Sequence, residues 1–91
     1  MRKYFRFQFR YEVLINTLTE LGYTILYNSI EKVEAKKDPF YFQFFTPKKG
    51  NSFVEYVEDW EITPSKLKKE LSLIRRTYTE MREILKRELD L

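Results

Sequence analysis

The 91-residue sequence contains no cysteine and no histidine, only two glycines and three prolines, and no long hydrophobic run. The absence of cysteine excludes disulfides, thiol chemistry and cysteine-ligated zinc, and it is typical of a cytoplasmic protein. Without histidine or cysteine, nucleophilic or general-base catalysis would need an unusual arrangement. No apolar run approaches the ~18 residues of a membrane-spanning helix. We therefore expect an intracellular, non-catalytic protein with no cofactor and no bound metal.

What the chain does have is aromatic side chains and unevenly spread charge. Aromatic residues make up 18% and apolar residues 43% of the sequence, enough for a single modest core. The formal net charge is +3, but residues 1–11 carry four bases and no acid, whereas residues 51–61 carry four acids and no base. This segregation favours nucleic-acid binding at the basic end, or contacts between opposite ends of different protein copies.

The sequence from Thr63 to Leu91 predicts one long helix. Thr63 suits the N-cap, and Pro64 suits the first helical position, where its missing N–H has no consequence. No glycine or proline follows, and apolar residues recur at helical spacing on one side. This seam consists of Leu67, Leu71, Ile74, Tyr78, Met81, Leu85 and Leu89. From Pro64 to Leu89 the helix would be ~39 Å long, at least the width of a compact chain of this size.

The last turns of this helix are therefore predicted to extend beyond the rest of the domain and to need another apolar surface. A second copy of the chain is the simplest source of that surface. We expect a homodimer whose interface contains Tyr78, Met81, Ile84, Leu85 and Leu89.

Residues 1–62 predict a small antiparallel sheet with one helix. Arg2 to Phe9 alternates between apolar and polar residues, as a half-buried strand does. Tyr11 to Leu21 follows as a helix that ends at Gly22, the residue type preferred at a left-handed C-terminus. Three more strands are predicted at 23–27 (ending there or continuing to 35 with a bend), 40–46 and 52–58. The predicted class is α+β, one domain in β-α-β-β-β-α order, with both helices on one face and residues 63–91 as the long helix.

The α-β-β-β-α portion of this predicted order resembles that of double-stranded-RNA-binding domains and of the small HicA-type toxins built on the same fold. The resemblance is one of element order alone. It implies a small sheet with two helices on one face. HicA-type toxins use a catalytic histidine, which this sequence lacks, so the resemblance implies no catalytic residue here.

Two basic surfaces are candidates for nucleic-acid binding. The outer face of the first and third strands combines bases with aromatic rings, which can stack nucleobases while arginines contact phosphates. One face of the long helix carries bases and hydroxyls without an acid, and such groups make phosphate contacts. The candidate residues are Arg2, Tyr4, Arg6, Arg10, Tyr41, Phe45, Lys48, Lys49, Lys68, Arg75, Arg82 and Lys86. The alternative for both surfaces is an ordinary solvated face.

Acidic residues offer a weaker case for metal chemistry. Clustered carboxylates can bind a divalent cation, but a solvated or partner-facing patch explains them as well. The cluster consists of Glu55, Glu58, Asp59 and Glu61. The triplet 34–36 reads E-x-K, as in PD-(D/E)XK nucleases, yet those sites need an upstream aspartate and the first one here is Asp38.

The sequence thus predicts a small nucleic-acid-binding protein without an active site. The alternative is a protein-interaction module, such as a viral or plasmid accessory protein that acts on a partner protein through its dimeric C-terminal helix and its acidic patch.

Overall fold

The computed structural model describes residues 2–47, 50–57 and 62–89, with backbone alone at 2–5, 57 and 89. Its elements, in chain order, are β1 (Arg2–Arg6), α1 (Tyr11–Glu20), β2 (Thr24–Asn28), β3 (Lys32–Lys37), β4 (Phe40–Phe45), β5 (Phe53–Val57) and α2 (Pro64–Leu89). The strands form an antiparallel sheet in the order β1-β5-β4-β3-β2. This confirms the predicted α+β class, with an antiparallel sheet, one N-terminal helix and a long C-terminal helix.

The described sheet has five strands where the sequence predicted four, because the second predicted strand divides in two. β2 ends at Asn28, and β3 begins at Lys32 and runs antiparallel to it. In the turn between them, the N–H of Ser29 donates to the Lys32 carbonyl at 2.8 Å, and Ser29 Oγ accepts from the Lys32 N–H at 3.2 Å. A serine that binds nearby backbone in this way favours a turn over a continued strand. This turn is the bend that the sequence predicted near Asn28 and Ser29, and a separate register shift lies between Ile25 and Tyr27.

The extra strand also changes the element order between the helices. Four strands lie in the described residues between α1 and α2, and β1 pairs with β5 at one edge of the sheet. The order therefore differs from the α-β-β-β-α arrangement of double-stranded-RNA-binding domains.

The inner face of the sheet is built on the phenylalanines of β4. Phe42 and Phe44 are fully buried, and Phe40 packs partly buried against the same core. Alternation along β4 predicted that these three rings point inward, and they do. The neighbouring strands and both helices complete the core. Their buried residues are Val33, Ala35 and Val54 of the strands, Val13, Leu14 and Leu18 of α1, and Leu67, Leu71, Ile74 and Tyr78 of α2.

Gly22 ends α1 in the left-handed conformation that the sequence predicted, with φ at 86°. The N–H of Tyr23 donates to the Leu18 carbonyl at 2.9 Å, and the N–H of Gly22 donates to the Thr19 carbonyl at 3.1 Å. This pair of bonds is a Schellman motif. Leu18 and Tyr23 are both buried, so the motif directs the chain from the helix into the core.

Gly22→Ala is expected to lower the free energy of unfolding by about 1–2 kcal/mol, because a Cβ disfavours positive φ. A Cβ here would meet Lys37 Cδ at 4.0 Å, so the loss comes from the backbone and not from a clash. Gly22→Asn should lose less, since asparagine tolerates this conformation better. Urea denaturation measures both variants, and an unchanged stability of Gly22→Ala would contradict the assignment.

α2 begins where the sequence predicted. Thr63 Oγ1 accepts a hydrogen bond from the N–H of Lys66 at 3.2 Å, and Pro64 is the first helical residue. The helix contains 26 residues, which corresponds to a length of ~39 Å. The molecule measures 47 × 27 × 21 Å, so α2 is longer than either of its shorter dimensions. Neither helix of the described chain is long and apolar enough to cross a membrane.

Burial along α2 ends close to Tyr78, and this divides the predicted dimer interface. Tyr78 is only 5% exposed, its ring meets that of Phe7 edge-on at 5.2 Å, and its hydroxyl accepts from the N–H of Arg10 at 2.7 Å. The structure therefore places Tyr78 in the core and not on a surface that a second copy could reach. Met81 and Leu85 pack partly buried against the core, whereas Ile84 is 46% exposed. The side chain of Leu89, the last predicted interface residue, lies outside the described part.

Candidate nucleic-acid interface

A groove lies between α2 and the side of the sheet formed by β1 and β5. It consists of two depressions, of about 700 and 320 Å³, which share Arg75 in their linings. We call it the basic groove and define it by Lys68, Ser72, Arg75, Thr79 and Arg82 of α2 and by Arg6, Gln8 and Tyr56 on the sheet side. No acidic side chain is among the described residues that line it.

Helical periodicity and one aromatic contact bring these residues together. The groove residues of α2 recur every three or four positions and so share one helix face, beside the buried seam. On the sheet side, Arg6 is the last residue of the edge strand β1. Phe7 follows it and packs against Tyr78, which fixes Arg6 and Gln8 beside the turn of α2 that carries the groove arginines.

The polar groups of the groove are not equivalent. Thr79 Oγ1 donates to the carbonyl of Arg75 at 3.1 Å, so its hydroxyl proton is already engaged. Arg6, Arg75 and Arg82 all line the smaller depression, and a guanidinium group carries five N–H donors in a planar fork. The groove therefore offers concentrated positive charge and donors from two distant parts of the chain.

On the outer face of the sheet, the aromatic rings that the sequence predicted for base stacking already have neighbours. The ring of Phe45 stacks on that of Phe53, with ring centres 5.0 Å apart and planes at 20°. Tyr41 accepts a hydrogen bond from Gln43 Nε2 at 3.2 Å. Each of these rings is already in contact with a neighbour on its own sheet.

Carboxylates also occupy this outer face. Glu34 and Glu55 are the cross-strand neighbours of Gln43, one on each side. Lys32 Nζ lies 2.9 Å from Glu34 Oε1. The hydrogen bond between them lowers the pKa of Glu34 and raises the pKa of Lys32, and burial together with Glu34 raises the pKa of Tyr41. Both members of the ion pair are therefore charged at neutral pH, and the face carries mixed charge.

A third depression, of about 920 Å³, lies between the start of α1 and the distal turns of α2. Arg10 and Lys86, both predicted as phosphate contacts, line it together with Arg82. The same lining contains three acids, Glu12, Glu83 and Glu88. Arg10, Lys86 and Arg82 therefore stand beside carboxylates on this side, whereas Arg6, Lys68 and Arg75 line only the basic groove.

The structure thus sorts the predicted binding residues into distinct places. Arg6, Lys68, Arg75 and Arg82 line the basic groove; Arg10 and Lys86 lie in the mixed depression, which Arg82 also lines; Tyr41 and Phe45 lie on the outer face. Lys48 and Lys49, and the side chains of Arg2 and Tyr4, lie outside the described part of the chain.

The acidic features have little described structure around them. Within residues 2–47, 50–57 and 62–89, no group of three or more acidic side chains is placed to hold a metal ion. Glu58, Asp59 and Glu61 fall between these ranges. In the E-x-K triplet, Glu34 is paired with Lys32, and Lys36 Nζ lies 3.4 Å from Asp38.

Sequence reasoning missed a cluster beneath the first turns of α2. The hydroxyl of Tyr23 donates to Glu70 at 2.5 Å, and Lys37 Nζ lies 2.8 Å from the same carboxylate oxygen. Lys37 Nζ also lies 4.7 Å from the centre of the Tyr23 ring. The cluster ties α2 to β3 and to the end of α1. One signal was available, because Glu70 is the only acid among residues 64–79.

This cluster predicts a specific pH dependence of stability. Burial, then the hydrogen bond and the charge of Glu70, raise the pKa of Tyr23 far above its ordinary value. An unfolded tyrosine loses its proton near pH ~10, while folded Tyr23 retains it, so stability present below that pH is lost as the pH rises. The free energy of unfolding should fall above pH 10 more steeply than in Tyr23→Phe, by about 1.4 kcal/mol per pH unit. Urea denaturation at several alkaline pH values measures both slopes, and parallel slopes would contradict the prediction.

Comparison with protein-family models, with curated proteins and with solved structures finds no match to this chain. The fold and the groove together define a small α+β protein with a groove rich in cations between a long helix and an edge strand. Its function is inferred from the chemistry of these surfaces.

Proposed function

We propose that this protein binds nucleic acid and holds the sugar–phosphate backbone in the basic groove. The observation that carries the proposal is the convergence of Arg6, Arg75 and Arg82 on one depression with no acid in its described lining. Guanidinium groups match the geometry of phosphate oxygens and often bind them with two parallel hydrogen bonds. Arginines that belong to distant parts of a sequence and meet in one groove are suited to such an anionic ligand.

The groove is long enough for several phosphates. Lys68 and Arg82 lie 14 residues apart in α2, a rise of ~21 Å. One strand of B-form DNA has a phosphate every ~3.4 Å of helix axis, so this length corresponds to roughly six nucleotides. Contacts with three or four of these phosphates would use the cations of the groove.

The contacts proposed here carry little sequence information. Phosphate contacts fix the position of a protein on nucleic acid, while base edges provide specificity. The cations of the basic groove suit the backbone, and the outer face has no primary role because its phenylalanine pair is already stacked and carboxylates flank Gln43. We therefore propose binding with weak sequence preference.

A fluorescence-anisotropy titration with labelled single-stranded and duplex oligonucleotides tests the proposal. Each phosphate contact releases a counterion, so binding weakens as salt is added. With three contacts, an increase from about 50 to 200 mM salt should lower the affinity on the order of 50-fold. Absence of binding at the lower salt concentration, or affinity that is independent of salt, would contradict the proposal.

A second candidate function is the binding of a partner protein along β2. Leu26, Tyr27 and Ile30 are 52%, 51% and 84% exposed, and residues 24–30 contain no charge. An uncharged edge strand with exposed apolar side chains can accept a strand from another protein. Lack of oligonucleotide binding, combined with a stoichiometric partner that is released by Ile30→Asp, would favour this function over the first.

A further inference from the structure

The charge of α2 changes along its length. Residues 64–79 contain five bases and one acid, and that acid, Glu70, is paired with Lys37. Residues 80–88 contain three bases and three acids. A two-fold interface brings a surface against an identical surface, so a patch of one sign repels itself, while a patch of both signs can pair acid with base. The distal segment of α2, residues 80–88, is self-complementary in this sense, and the proximal segment is not.

The distal segment also has apolar surface that its own chain does not cover. Ile84 is 46% exposed, and Met81 and Leu85 are only partly buried. An apolar centre with a polar, charged rim is the arrangement found in protein interfaces.

We propose that the distal segments of two copies pack against each other about a two-fold axis to give a symmetric dimer. Ile84 of each copy then lies at the centre of the contact beside Met81 and Leu85, and the acids of one segment meet the bases of the other. Nucleic acid is a poor partner for this segment, because it carries three acids. A partner of one charge sign would likewise leave half of the rim unpaired.

If the protein binds nucleic acid as proposed above, the dimer should increase its affinity for long ligands. Two basic grooves on one particle can contact one strand at two places, which raises affinity through effective concentration. A ligand long enough to reach both grooves should therefore bind more tightly than one of roughly six nucleotides, which fills a single groove.

Light scattering or sedimentation of the Ile84→Glu variant tests the dimer. Wild type should show twice the 11.3 kDa mass of one chain, and Ile84→Glu should raise the dissociation constant at least ~10-fold. Ile84 serves better than Leu85, because Leu85 also packs against its own core. The matched control is Ile30→Glu, an exposed isoleucine on the sheet edge, which should remain dimeric. A monomeric wild type, or dissociation by Ile30→Glu and not by Ile84→Glu, would overturn the proposal.

A second measurement does not depend on a charged substitution. Because the sequence has no cysteine, Ile84→Cys introduces the single thiol of the protein. Its reaction with a thiol reagent should slow at least ~10-fold at protein concentrations where the dimer forms, since a buried thiol is protected. Ile30→Cys should react at one rate throughout. Equal behaviour of the two thiols would overturn the proposal.

The two proposals fail in different ways. If the dimer exists and nucleic-acid binding does not, wild type is dimeric and no oligonucleotide binds. If binding exists and the dimer does not, wild type is monomeric and Ile84→Glu leaves the affinity for short and long oligonucleotides unchanged. With both correct, Ile84→Glu weakens binding of the long ligand and spares the short one.

Discussion

Replacement of both Arg75 and Arg82 by alanine is expected to lower the affinity for an oligonucleotide on the order of 100-fold at about 50 mM salt. Both arginines line the depression that Arg6 also lines, so the variant removes two of its three guanidinium groups. Each lost phosphate contact removes one released counterion, and the slope of log affinity against log salt should become shallower by about two. Anisotropy titrations at several salt concentrations provide both values.

The matched control removes the same charge away from the groove. Lys36 and Lys66 are exposed, and neither is among the residues that line the basic groove. Their joint replacement by alanine should lower affinity less than about threefold, through net charge alone. An equal loss in both double variants would show that net charge, and not the groove, drives binding. Circular dichroism of each variant confirms that the fold is retained.

Phe42→Ala is expected to lower the free energy of unfolding by about 3–5 kcal/mol, because it leaves a cavity in the centre of the core. Phe42 is 0% exposed, and its ring lies 6.0 Å from that of Tyr23 and 6.1 Å from that of Phe44. Domains are stable by only about 5–15 kcal/mol, so the variant should be partly unfolded under native conditions. Urea denaturation measures the loss.

Phe45→Ala is the control within the same strand. Phe45 faces the opposite side of the sheet, is partly exposed and contacts Phe53. Its replacement should reduce stability by less than half as much as Phe42→Ala, because less surface was buried. Equal losses would mean that Phe45 is as deeply buried as Phe42, contrary to its partly exposed position on the outer face.

Local patterns in the sequence predicted most of the fold. The 3.6-residue period and the Thr63–Pro64 start determine α2, and Thr63 caps the helix as expected. Alternation in β4 identifies Phe42 and Phe44 as the inward row. Gly22 ends α1 in the expected conformation. In each case the signal lies within a few residues of the element it predicts.

Contacts between distant residues account for what the sequence did not predict. One exception is the strand count, which depends on a local contact: Ser29 bonds to Lys32 and turns the chain in a stretch without clear alternation. The edge-on contact of Tyr78 with Phe7 depends on where Phe7 lies, which helical periodicity cannot specify. The cluster of Tyr23 with Glu70 depends likewise on how α2 lies across the sheet.

The sequence predicted the residues of the candidate site, but only the structure shows that they lie together. Arg6 was predicted on a strand face, and Arg75 and Arg82 on a helix stripe, as two separate surfaces. The structure places all three around one depression, because β1 is the edge strand on the side where α2 lies. This arrangement results from the pairing of β1 with β5, which no local sequence pattern predicts.

An NMR titration of ¹⁵N-labelled protein with a short oligonucleotide is the most direct test of the basic groove. Backbone amides and arginine side-chain N–H groups report contact residue by residue. The largest shift changes are expected at Arg6, Arg75 and Arg82, with little change along residues 24–30 of the opposite sheet edge. Largest changes on the outer face around Tyr41 and Phe45, or along β2, with the groove arginines unaffected, would contradict the proposed site.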